Sequence, residues 1–120
     1  MKIFTKSIQV KKSKKDGVRI CIMRRPGNYT DFDMWMPVLA PQNKLLKDYQ
    51  GKKISWLVYE KIFTKQVLKK NQRFLNLLVD FAKKYDLTLL CWEKKPNKCH
   101  RRLVLQALET IEPKLKVFLK

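Results

Sequence analysis

With 120 residues, 45% of them apolar and 11% aromatic, the chain can bury the core of one domain and has no room for a second. Lys and Arg number 28 against 10 Asp and Glu, and the formal charge of +18 draws nucleic acid and other polyanions at low salt. No membrane-length apolar window occurs, the start Met1-Lys2-Ile3-Phe4-Thr5-Lys6 lacks a signal-peptide core, and three cysteines without scaffold spacing fit a reducing compartment, so a soluble cytoplasmic protein is expected.

Lys2 to Val10 alternates Ile, Phe and Val as a strand does, and Val18 to Met23 reads as a second, β-branched and half-buried strand. Between them Lys11-Lys12-Ser13-Lys14-Lys15, closed by Asp16-Gly17, reads as a hairpin-like loop. From Arg24 to Gln50, Pro26-Gly27-Asn28, Pro37 and Pro41 forbid a long helix and leave a short one over Asn43 to Tyr49. Tyr29, Phe32, Met34, Trp35 and Met36 of this long loop are too apolar for free solvent; they form either a lid on the core or a wall that shapes a substrate.

Ser55 is placed to N-cap a helix, with Ile54 stapling onto Tyr59, and Trp56, Tyr59, Phe63 and Val67 recur at helical spacing. A second helix runs from about Gln72 to Tyr85, its apolar stripe marked by Phe74, Leu77, Leu78, Phe81 and Tyr85. Leu87 to Cys91 is a continuous apolar run, as expected of a buried strand parallel to its neighbours, and strand, helices and strand make a right-handed crossover. Leu103, Val104, Ala107, Leu108 and Ile111 continue a last helix that Pro113 stops, and Leu115 to Leu119 adds an edge strand. The fold class is a small single-domain α/β protein, a mostly parallel sheet flanked by helices in a Rossmann-like arrangement of two or three layers.

One stretch looks like a site. Between Leu87 and Arg102 lie two cysteines, Cys91 and Cys99, with Trp92, Glu93, the only histidine His100, and Arg101-Arg102. If Asn97 caps the last helix, Lys98, Cys99 and His100 occupy its first turn, where free N–H groups favour anions and thiolates. Cys99 is then a candidate nucleophile, Glu93 beside Trp92 a candidate acid or base with a raised pKa, and His100 a candidate catalytic group. Neighbouring side chains on a helix diverge, so a Cys99-His100 base pair needs non-helical backbone there. Cys91 at a strand end and Cys21 in mid-strand read as buried and inert. A zinc reading of Cys91, Cys99 and His100 lacks paired C-x-x-C spacing and any clear fourth ligand besides Glu93, so neither metal nor cofactor is expected.

The stretch resembles the Leu-Leu-Cys-x-Glu and Cys-His-Arg signature of domain-of-unknown-function family 488. Arg24-Arg25-Pro26, Leu39-Ala40-Pro41 before Leu45-Leu46, and Ile54-Ser55-Trp56 with Tyr59 are similar to the family's other landmarks in the same order. The resemblance spans nearly the whole chain and implies a compact α/β fold and a candidate site, without naming a reaction.

Arg24 and Arg25, at the end of a central strand, and Arg101 and Arg102 are candidate forked donors for an anion in the same crevice. Alternatively these arginines pair with Glu93, Asp31 or Asp33 to pin the loops. The function expected is recognition, extending to turnover, of a phosphate-bearing small molecule or nucleic-acid component. The competing class is a non-enzymatic, basic nucleic-acid-binding protein, whose phosphate-tracking groove would join Lys11 to Lys15, Lys94 to Arg102 and the Trp92 ring on one face. Nothing in the pattern calls for a membrane partner.

Overall fold

The computed structural model describes residues 2–120, so Met1 of the expected start lies outside them. The strands are β1 (Lys2–Ser7), β2 (Val18–Cys21), β3 (Met34–Trp35), β4 (Leu87–Cys91) and β5 (Lys116–Phe118), all parallel, in the order β3-β2-β4-β1-β5. Four α-helices follow the chain as α1 (Asn43–Gln50), α2 (Trp56–Phe63), α3 (Gln72–Ala82) and α4 (His100–Ile111). The chain thus has the small α/β fold expected, and among the described residues no helix is long and apolar enough to cross a membrane.

β4 sits at the centre because its run Leu87-Thr88-Leu89-Leu90-Cys91 can be buried on both faces, and every residue of it is. It pairs with β1 on one side, Ile3 opposite Leu87 and Ser7 opposite Cys91, and with β2 on the other, Val18 opposite Leu87 and Cys21 opposite Leu90. Ile3, Ile20, Leu87 and Leu89 of one face join a single apolar cluster with Leu45 of α1, Phe63 of α2, Leu75 of α3 and Val104 of α4. The helices are gathered on that face, which makes the two-layer alternative the one realised.

The opposite face carries Arg19, Cys21, Thr88 and Leu90 and is covered by the segment joining β1 to β2. The expected hairpin-like loop is therefore a crossover, since β1 and β2 run parallel with β4 between them. A short 3-10 turn, Lys14–Asp16, ends it, with Ser13 and Asp16 forming a reciprocal capping box. Asp16 takes Lys6 and Arg19 as ion-pair partners, and its carbonyl accepts from Thr88 Oγ1 at 2.6 Å. Gly17, at φ +63°, passes so close to Asp86 that an added Cβ would lie 2.1 Å from its carbonyl oxygen. Only glycine fits there.

Other elements fall where the patterns place them, with adjustments. Ser55 caps α2, its Oγ accepting from Val58 N at 3.2 Å, and a π-helical turn, Thr64–Leu68, carries the chain on to Val67. The long loop after Arg24 contains an edge strand that the pattern hides, β3, whose Trp35 indole donates to Met23 O at 2.7 Å. In α3 the buried stripe is Leu75, Leu78, Val79 and Ala82; Phe74, Leu77 and Tyr85 of the expected stripe face solvent.

Candidate functional site

In a parallel sheet the C-terminal ends of the strands face a crevice that loops must wall, and ligands settle there. Cys91 is the last residue of β4, and Arg24 and Arg25 follow closely on the end of β2. Between them opens a cleft of about 510 Å³, lined by Arg24, Arg25, Tyr29, Trp92, Glu93 and His100, with Asn43 and Leu46 of α1 on the far side. The volume suits a ligand of nucleotide size.

The floor of the cleft is a tight group of donors. The loop between β4 and α4 turns back through a Cys99 N to Pro96 O bond, and α4 begins at His100 with Cys99 as its extended N-cap residue, φ −133° and ψ 143°. Asn97 is not the cap; its carbonyl accepts from Arg102 at 2.6 Å. Because Cys99 is extended, its side chain and that of His100 converge instead of diverging. Cys99 Sγ lies 2.7 Å from Cys91 Sγ, and Cys91 Sγ lies 3.3 Å from His100 Nδ1. Glu93 Oε2 is 3.2 Å from both sulfurs. His100 Nε2 stands 2.7 Å from Ile22 O. A carbonyl can only accept, so Nε2 carries a hydrogen, and Nδ1 is the ring nitrogen nearer Cys91 Sγ, which stands 3.8 Å from Nε2.

Electrostatics bears on two of the candidate groups. Burial pushes the Cys99 thiol far up, the neighbouring Cys91 adds to this, and His100 opposes it too weakly to matter. This environment favours the neutral thiol over the thiolate. Burial alone would raise Glu93 as well, but hydrogen bonds from Cys99, its own backbone N–H and Cys91 outweigh it and hold the carboxyl below its ordinary value. Glu93 is therefore ionised at neutral pH, a proton acceptor or ligand rather than an acid. It forms no ion pair among the described residues.

The arginines divide. Arg24, held by a bond from Nε to Pro41 O at 2.8 Å, and the exposed Arg25 line the cleft. Arg101 is fully buried, with Nη1 on Glu93 O and 3.4 Å from Cys99 Sγ, and Nη2 on Lys94 O and Lys120 O. Its role is to hold the loop in shape through backbone carbonyls. Arg102 reaches Asn97 O and Glu60. Neither lines the cleft. Tyr29 of the long loop lines the cleft and meets Trp92 edge-on at 5.6 Å between ring centres.

Cys91 is expected from its strand-end position to be a buried thiol outside the site. It is buried as expected, yet it touches Glu93, Cys99 and His100. The signal was its place at the end of the central strand, where side chains open into the crevice. Of the two lysine-bearing stretches, the first runs from Gln9, whose Nε2 donates to Trp92 O at 2.8 Å, to the Lys14–Asp16 turn at the start of β4, where Gly17 packs on Asp86.

A two-layer domain with a parallel sheet and a cleft at the strand ends defines the class: a small α/β protein. A family model described as the active DUF488-N3 subclade matches residues 3–112, and the chain belongs to the DUF488 family. No curated protein and no solved structure shows significant similarity to it.

Proposed function

We propose that the cleft binds a phosphate-bearing small molecule or nucleic-acid component, and that the residues on its floor turn the ligand over. The observation that carries this reading is the pairing of cationic wall and polar floor in one cleft: Arg24 and Arg25 on one side, Glu93 and His100 on the other. Guanidinium groups bind phosphate through forked, charge-assisted hydrogen bonds. Trp92, about half exposed at 48%, offers a planar base a stacking surface at the mouth. With the ligand so held, the Glu93 carboxylate, which lines the cleft, is the group suited to take a proton from an attacking water or from the ligand.

Thermal shift across inorganic phosphate, nucleotides and short single- and double-stranded DNA and RNA tests the reading, because a ligand at 100 times its Kd stabilises the folded state by about 2.7 kcal/mol. The expected result is selective stabilisation by one ligand class, lost in Arg25→Ala and Trp92→Ala and kept in Arg73→Ala, which removes a charge from the exposed side of α3. Equal, salt-sensitive loss in all the charge variants would instead make the +18 charge the binding feature and the chain a non-specific nucleic-acid binder.

A further inference from the structure

We propose that Cys91, Cys99 and His100 bind a divalent, zinc-class metal ion, with Glu93 facing its fourth coordination position from the cleft. The three buried residues each offer one ligand atom, and these atoms lie within 4.8 Å of one another. Ligand atoms around a tetrahedral zinc stand about 2.0–2.3 Å from the ion, so neighbouring donors sit somewhat under 4 Å apart. The 3.3 Å from Cys91 Sγ to His100 Nδ1 is close to that spacing, whereas the 2.7 Å between the sulfurs is about an ångström shorter than it. Outward rotation of the two thiols by about an ångström opens the cage, and Cys99 is free to make it because it precedes the helix.

Three further features match what a thiophilic ion requires. The first is the tautomer of His100. Nε2 donates to Ile22 O at 2.7 Å, which leaves Nδ1 as the ring nitrogen nearer Cys91 Sγ, at 3.3 Å against 3.8 Å, and metal-bound histidines are oriented by this kind of second bond to a carbonyl. The second is the Arg101 guanidinium, whose Nη1 stands 3.4 Å from Cys99 Sγ and can donate to that sulfur once it is a thiolate. The third is charge. Glu93 Oε2 has two thiols at 3.2 Å and no ion-pair partner among the described residues, in a chain with 28 positive side chains. A divalent ion in the cage supplies the missing counter-charge.

The binding step is an exchange of protons for metal without redox. Each thiol releases its proton to solvent, both sulfurs and Nδ1 donate lone pairs to the ion, and no electron is transferred. Soft thiolates with one imidazole favour zinc-class ions over magnesium or calcium, which want oxygen ligands. The site does not depend on the anion reading above, since none of its ligands is an arginine.

Cobalt(II) titration of the full-length, fully reduced chain tests the assignment. One cobalt per chain is expected, giving the thiolate-to-cobalt charge-transfer band and the intense visible bands of a tetrahedral centre, and zinc should abolish both. Cys91→Ser and Cys99→Ser should each lose the charge-transfer intensity, whereas Cys21→Ser and Arg25→Ala keep it. Retention in Arg25→Ala together with loss of ligand stabilisation in that variant would separate the metal site from the anion site. A pale octahedral cobalt spectrum in the wild type, or a charge-transfer band that survives in the Cys91→Ser, Cys99→Ser double variant, would overturn the proposal; the wild-type spectrum alone decides if the variants fail to fold.

Discussion

Asp16 shows how much of the second sheet face rests on one side chain. It is 6% exposed and accepts from Ser13 N while pairing with Lys6 and Arg19. Burial alone would raise its pKa, but the bonds from Ser13, Lys6 and Arg19 outweigh it and hold the carboxyl below its ordinary 3.8. The folded group therefore binds its proton less readily than the unfolded one. Its contribution is complete at neutral pH and is lost as acid takes the solution through and below that value. Asp16→Asn should flatten the acid limb of the stability curve, and Asp16→Ala should cost about 3–5 kcal/mol at pH 7 because it leaves Arg19 buried without a carboxylate. Urea melts between pH 3 and pH 7 measure both (an assay range, set to bracket the usual carboxylate range). Gly17 next to it is equally constrained. Gly17→Ala meets the Asp86 carbonyl oxygen at 2.1 Å and sits at positive φ, so a loss of at least about 3 kcal/mol is expected in the same melts.

Among the elements, α3 separates what a sequence period can decide from what it cannot. Its apolar residues support two stripes at helical spacing, one through Phe74, Leu77 and Phe81 and one through Leu75, Val79 and Ala82, with Leu78 common to both. Periodicity identifies the helix and leaves its rotation open; packing on α4 and the sheet turns Leu75 inward at 0% exposure and leaves Leu77 at 54%. Leu75→Ala should therefore cost about 2–5 kcal/mol and Leu77→Ala less than about 0.5 kcal/mol, by chemical denaturation. The strands with strong patterns, β1, β2, β4 and β5, are legible in advance, as is the Ser55 cap. β3 is not, because a two-residue edge strand carries no period. At the site, the crevice between Arg24-Arg25 and Cys91 to His100 follows from strand ends alone. The start of α4 does not: Asn97 is the better cap by propensity, yet the Pro96 to Cys99 turn delays the helix. That delay of a few residues makes Cys91 part of the cluster and takes Arg101 out of the cleft.

At the scale of the molecule, the charge and the site are separate properties. The lysines are spread along the whole chain and lie at both ends of the sheet, so they raise the encounter rate with any polyanion without selecting one. The cleft has walls from α1, the loop after β2 and the loop after β4. These segments are far apart in sequence, and the site exists only when the sheet has closed.

The strand order also sets a timetable for synthesis. β1 pairs only with β4 and β5, and β2 finds its long partner in β4. During translation both early strands leave the ribosome with open edges, and the segment that unites them is not made until residues 87–91. For most of its birth the chain is a set of helices and unpaired apolar strands in which nothing can close. Its exposure to aggregation is therefore governed by how soon β4 arrives, and a translational pause before Leu87 would prolong that exposure more than a pause after Cys91.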